Sequence, residues 1–181
     1  MRIINSGAFL AIGLTMLAPA GAQVASGSRD SSSCRRFVQE FYEWYVPFIH
    51  KTTNGRAWDL ALQRKEEVFN SNLLRALKVD SAASDQAKGE IDSIDFDPFV
   101  GSQDPADHYE TRYITRQGNT CSAEIWRKSP TDKAAKTGKP DVVADAVLFR
   151  GHWQFLNFRY PDLNADLMRV LARLREERRK R

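Results

Sequence analysis

The chain has 181 residues, 42% of them apolar and 28% charged, with a formal net charge of +4. That length holds one ordinary domain of roughly 100–200 residues, and ten Phe, five Tyr and four Trp exclude a disordered chain. Two Cys exclude both a disulfide-dense mini-scaffold and a four-Cys zinc module.

Met1-Arg2 supplies one positive charge, Ala8 to Leu17 is an apolar run, and Ala20-Gly21-Ala22 has the small-residue pattern of a signal-peptidase site. Residues 1–22 are therefore expected to be a cleaved export signal, since the run is far short of the ~20 residues that span a bilayer. Cys34 follows Ser31-Ser32-Ser33, not the apolar run, so a lipoprotein is not expected and the periplasm is. Residues 23–33 are Ser/Gly-rich and read as a linker, 34–162 as the folded domain, and 163–181 as a basic C-terminal helix.

Phe37, Phe41, Trp44, Tyr45 and Phe48 fall at helical spacing and predict an amphipathic helix from Cys34 to about Lys51, with Pro47 loosening its last turn. Asn54-Gly55 marks a turn. Trp58, Leu62, Phe69, Leu73 and Leu77 predict a second helical stretch over 57–77, and a short polar helix is expected between Ser81 and Glu90. Near residue 108 the period changes to two. Tyr109, Thr111 and Tyr113, then Cys121, Ala123 and Ile125, mark two strands separated by Gln117-Gly118-Asn119. After a charged loop over 128–140, Val142–Phe149 and Trp153–Tyr160 read as two more, ended by Pro161. Leu163, Leu167, Val170, Leu171 and Leu174 form a last helical stripe. Helices followed by an antiparallel meander make an α+β chain: N-terminal helices on a curved four-stranded sheet, then a C-terminal helix.

Three stretches carry a resemblance. Phe37-Val38-Gln39-Glu40-Phe41-Tyr42-Glu43-Trp44-Tyr45, Asp95-Phe96-Asp97-Pro98-Phe99 with Gln103-Asp104, and Gly151-His152-Trp153 through Tyr160 resemble the F-Y-x-W-Y helix, D-P-F…Q-D loop and closing strand of a bacterial secreted family of unknown function. The resemblance implies a cystatin-like or nuclear-transport-factor-two-like cone, with a pocket between helices and sheet. The chain departs from that family in lacking the lipoprotein Cys and in its basic C-terminal helix.

In an exported chain Cys34 and Cys121 are expected to form a disulfide, tying the aromatic helix to the second strand. Seven acidic residues and no Lys or Arg lie between Glu90 and Glu110. Counted from Asp95, this stretch fails the EF-hand spacing, with Phe99 at position five and Gly101 at seven. Its carboxylates are read as turn formers, with Asp97, Gln103 and Asp104 at the pocket mouth and Tyr45 and Trp153 as candidate pocket walls. His50, His108 and His152 have no metal-ligand spacing, and no nucleophile elbow, phosphate loop or dinucleotide fingerprint occurs. No catalytic residue, metal or cofactor is therefore expected.

The expected role is a non-catalytic exported binding or accessory protein with a protein partner or small ligand, and no nucleic acid. An immunity-type protein against a periplasmic toxin and a small pocket hydrolase or isomerase are the alternatives. From Arg169 to Arg181 seven basic residues face two acidic ones. Arg173, Arg175, Arg178, Arg179, Lys180 and Arg181 are read as a solvated run suited to an anionic surface, so truncation after Glu176 is expected to leave the fold nearly intact.

Overall fold

The computed structural model describes residues 24–52, 56–86, 93–128 and 138–180. The segment 1–22 read as an export signal, the turn expected at Asn54-Gly55, residues 87–92, most of the charged loop over 128–140 and Arg181 lie outside the described residues.

Helix α1 (Val24–Lys51) already begins inside the segment read as a linker. It buries Cys34, Val38, Phe41, Tyr42 and Tyr45, one face of a helix with 3.6 residues per turn. Phe37, Trp44 and Phe48, expected on that stripe, flank it half-buried. Pro47 does not loosen the end: the Thr52 amide and hydroxyl both donate to the Phe48 carbonyl, at 3.0 and 2.7 Å. The stretch expected as one helix over 57–77 is divided into α2 (Ala57–Arg64), a 3-10 turn at Glu66–Val68 and α3 (Ser71–Gln86). Asn70 makes the restart. Its Oδ1 accepts from the Asn72 amide at 3.2 Å and its carbonyl from the Leu74 amide at 2.9 Å. What reads as a separate polar helix from Ser81 is the end of α3.

Strands β1 (Tyr109–Gln117), β2 (Thr120–Arg127), β3 (Val142–Phe149) and β4 (His152–Tyr160) form the antiparallel meander that the alternation predicts. The sheet has five strands, not four. Pro161 does not end it, because a turn with Asn164 at φ 46° returns the chain as β5 (Ala165–Asp166), pairing Tyr160 with Ala165. Leu163 belongs to that turn and is 63% exposed, so it is not part of the last helical stripe. Register shifts at Thr111/Ile114 and at Asp145/Ala146 bend the sheet.

The core is largely aromatic. The Phe41 ring stacks on Tyr45 at 5.5 Å and meets Phe69, Phe99 and Phe155 edge-on at 5.9, 5.4 and 4.9 Å. α1 also covers the edge of β1. Gln39 Oε1 accepts from the Thr111 amide at 2.9 Å, and the Arg35 guanidinium donates to the carbonyls of Thr111 and Arg112. Beside β4, where β5 has not yet begun, the Asn70 amide donates to the Phe155 carbonyl at 2.9 Å. The other sheet face carries polar groups across strands: Arg159 binds Asp145 at 2.8 Å, and Asp145 accepts from Ser122 at 2.7 Å.

Cys34 and Cys121 are joined, with Cα atoms 6.8 Å apart and the two positions separated by 87 in sequence. Closing so long a loop restricts the unfolded chain, a stabilisation of about 2–4 kcal/mol. Replacing both cysteines with alanine should lower unfolding free energy by that amount in urea titrations. An unchanged midpoint would show that the bond adds nothing.

Helix α4 (Leu167–Arg179) buries Leu167 and Leu171, and Asp166 caps it by accepting from the Arg169 amide at 3.0 Å. Its far end overturns one expectation about the basic run. Arg178 donates at 2.9 Å to Asp80, a carboxylate with no exposed surface that also accepts from the Ile94 amide at 3.0 Å. Arg178 is therefore part of the fold, and truncation after Glu176 would strand a buried charge. Arg178→Ala should cost about 3 kcal/mol in thermal or urea unfolding, whereas Arg179→Ala, on an exposed side chain, should cost under about 0.5 kcal/mol. Equal effects would remove the pair from the account.

Candidate functional site

The segment 94–102 is anchored at both ends. Asp80 holds the Ile94 amide at the start. At the other end Asp97 closes a turn: its amide donates to the Ser102 carbonyl at 3.1 Å, and Gly101 returns a bond to the Asp97 carbonyl at 2.8 Å. Gly101 sits at φ 64°, and a Cβ there would come within 2.9 Å of the Tyr160 ring, so the turn requires glycine. Between these anchors, Phe99 drops into the aromatic core against Phe41, Phe69 and Phe158. Tyr42 and Tyr160 donate their hydroxyls to the Phe99 and Pro98 carbonyls, at 2.6 and 2.8 Å.

Both Asp97 oxygens are engaged. Oδ1 accepts from the amides of Phe99 and Val100 at 3.0 and 3.3 Å, and Oδ2 accepts the Tyr45 hydroxyl. Burial nevertheless outweighs these three donors and raises the Asp97 carboxyl from 3.8 to about 6. Burial also holds Tyr45 well above its ordinary value, with the Asp97 charge adding to it, so Tyr45 is a donor at neutral pH.

A cleft of about 490 Å³ opens beside this turn. Ile49, Trp58, Phe96 and Pro105 supply apolar wall, and Asp97, Asp95 and Gln103 supply polar groups. Gln103 Nε2 donates to Asp95 Oδ2 at 3.2 Å across the mouth. Arg56 also lines it, with its guanidinium spent on Asp59 at 2.9 Å and Asp85 at 2.8 Å and lying 5.0 Å over Trp58. The structure thus brings Asp97, Gln103 and, behind them, Tyr45 together. Asp104 is exposed outside the cleft, its backbone bonded to the Ser102 hydroxyl. Trp153 is remote: its indole donates to Ser33 at 3.0 Å near the disulfide end of α1.

A second cleft of about 720 Å³ lies on the other side of the last turn of α1, with Glu43, His50, Asp107, His108 and Lys128 among its lining. His50 Nε2 is 3.2 Å from the Ala106 carbonyl and 3.6 Å from Asp107, a His–Asp pair that residue spacing alone does not reveal. Among the described residues no three His, Cys, Asp or Glu side chains are placed to hold a metal ion. Compared with protein families, curated proteins and solved structures, the chain matches none.

The raised carboxyl gives a signed pH dependence. Its stabilising contribution is complete below about pH 4 and is lost as pH rises through about 6, because ionisation is harder in the fold than in the unfolded chain. Asp97→Asn keeps the acceptor and removes the charge, so its stability relative to the parent should rise by about 3 kcal/mol between pH 4 and 7. Asp97→Ala removes the same titration but strands two amides and a hydroxyl, so it should lie about 2–3 kcal/mol below Asp97→Asn at either pH. Urea midpoints at the two pH values measure both, and parallel curves for parent and Asn variant would refute the assignment.

Proposed function

We propose that the protein is an exported binding or accessory protein whose ligand site is the Asp97 cleft. The observation carrying this reading is that the polar groups around the cleft are committed to holding the wall. Asp97 is saturated by Tyr45 and two amides, Arg56 by two carboxylates, Thr52 by the Phe48 carbonyl and Ser102 by the Asp104 carbonyl. What remains toward the cavity is aromatic and aliphatic surface rimmed by an amide and a carboxylate, which suits a small, largely apolar molecule with one hydrogen-bonding or cationic end. The Cys34–Cys121 bond supports export to an oxidising compartment, and the bent sheet under α1 supports the cystatin-like or nuclear-transport-factor-two-like cone.

The His50–Asp107 pair favours one rival, a pocket hydrolase or isomerase. Both side chains are open to solvent, at 40% and 79%, and among the described residues no Ser, Thr or Cys lines their cleft. A small-molecule thermal-shift series on the oxidised protein decides between them. Hits should raise the melting temperature of the parent and of His50→Ala alike, and lose their effect when Gln103→Trp fills the mouth. Turnover of chromogenic esters that disappears in His50→Ala would replace the binding reading with the hydrolase. N-terminal sequencing of periplasmic material should begin at Gln23, and recovery of Met1 in a membrane fraction would overturn export by cleavage.

A further inference from the structure

A groove of about 640 Å³ runs between α3 and α4, away from both clefts. Its floor is apolar, with Ala76 and Val79 from α3 and Ala172 from α4, and Val79 is 44% exposed. Its rim carries Arg75, Arg175 and Arg179, with one acid, Glu176, beside them. Neighbouring cations are already matched: Arg178 with Asp80 at 2.9 Å, Lys78 with Glu66 at 2.9 Å, Arg173 with Glu177 at 3.8 Å. Arg179 and Lys180 share Glu176 at 3.8 and 3.7 Å. Arg75 and Arg175 have no acidic partner among the described residues.

Two uncompensated guanidinium groups on rigid helices, above an aliphatic floor, are complementary to a phosphate that carries hydrocarbon. The planar fork of Arg suits phosphate oxygens, and the floor suits methylene groups. Free phosphate would use only the rim, and an acidic peptide would leave Val79 against polar backbone. We infer that this groove docks the protein onto an anionic bilayer, seating the phosphate of an anionic phospholipid at Arg75 and Arg175 with its first acyl methylenes over Val79. The contact is thus made by a groove that includes α3, not by the C-terminal basic run alone.

Flotation of the full oxidised chain with vesicles at low salt tests this. Phosphatidylglycerol vesicles should bind it and phosphatidylcholine vesicles should not. Each arginine near an anionic surface contributes roughly fivefold in affinity, so Arg75→Gln with Arg175→Gln should weaken binding about 25-fold. The charge-matched pair Arg169→Gln with Arg173→Gln, on residues paired to Asp166 and Glu177, should change it no more than about twofold. Val79→Ser should weaken binding a few-fold without lowering the melting temperature. Equal losses for the two arginine pairs would reduce the attraction to net charge and overturn the groove. Equal binding to phosphatidylcholine, or complete displacement by inorganic phosphate at matched ionic strength, would overturn the lipid.

Discussion

Phe41 is the residue that every layer must accommodate. Its ring meets Tyr42, Trp44 and Tyr45 on its own helix, then Phe69 before α3, Phe99 in the 94–102 segment and Phe155 on β4. Helix, loop and sheet share one aromatic centre, so none can move without opening a void beside the others. Interiors packed to crystal density resist such voids, and removing a large ring costs about 3–5 kcal/mol. The cleft beside Asp97 is positioned by this centre, because Phe99 pins the turn that forms its wall.

Burying the segment from Ile94 to Gly101 brings backbone polar groups into the interior, and each needs a partner. The Ile94 amide takes Asp80, the Phe99 and Val100 amides take Asp97, and the Pro98 and Phe99 carbonyls take Tyr160 and Tyr42. Two carboxylates and two phenols do for this segment what a neighbouring strand would do in a sheet. The two acids differ in how their charge is compensated. Asp80 faces an arginine, whereas Asp97 has only neutral donors, and burial raises its carboxyl despite them.

Periodicity made α1 and the first four strands legible, because a helix face and a pleat repeat along the chain. Elements without a period were hidden. β5 is two residues long, and Asn70 divides a helical pattern through a local hydrogen bond that leaves the apolar spacing intact. The acidic stretch drew attention to Asp97 and Gln103, and the structure places both at one cleft, yet Phe99 read as loop and is core. Asp104 shared the motif but points to solvent, and Trp153 shared the aromatic signal but belongs beside Ser33. The Asp80–Arg178 pair spans 98 residues, and among many Asp and Arg nothing local distinguishes the two that meet. Trp58, which helps complete the cleft, was visible only as part of a helix, and Arg56, just before that helix, carried no signal of its own.

The long reach of these contacts sets an order of events during synthesis. α1 leaves the ribosome first, while Phe155, which its aromatic face requires, is 114 positions behind Phe41. Cys34 likewise precedes its partner by 87 positions. A chain growing from its N-terminus therefore displays the sticky face of α1 through most of its elongation, and an unpaired thiol through nearly half of it. The thiol is satisfied once β2 is made and the aromatic face only once β4 is made, so the covalent link can form before the core it spans is complete.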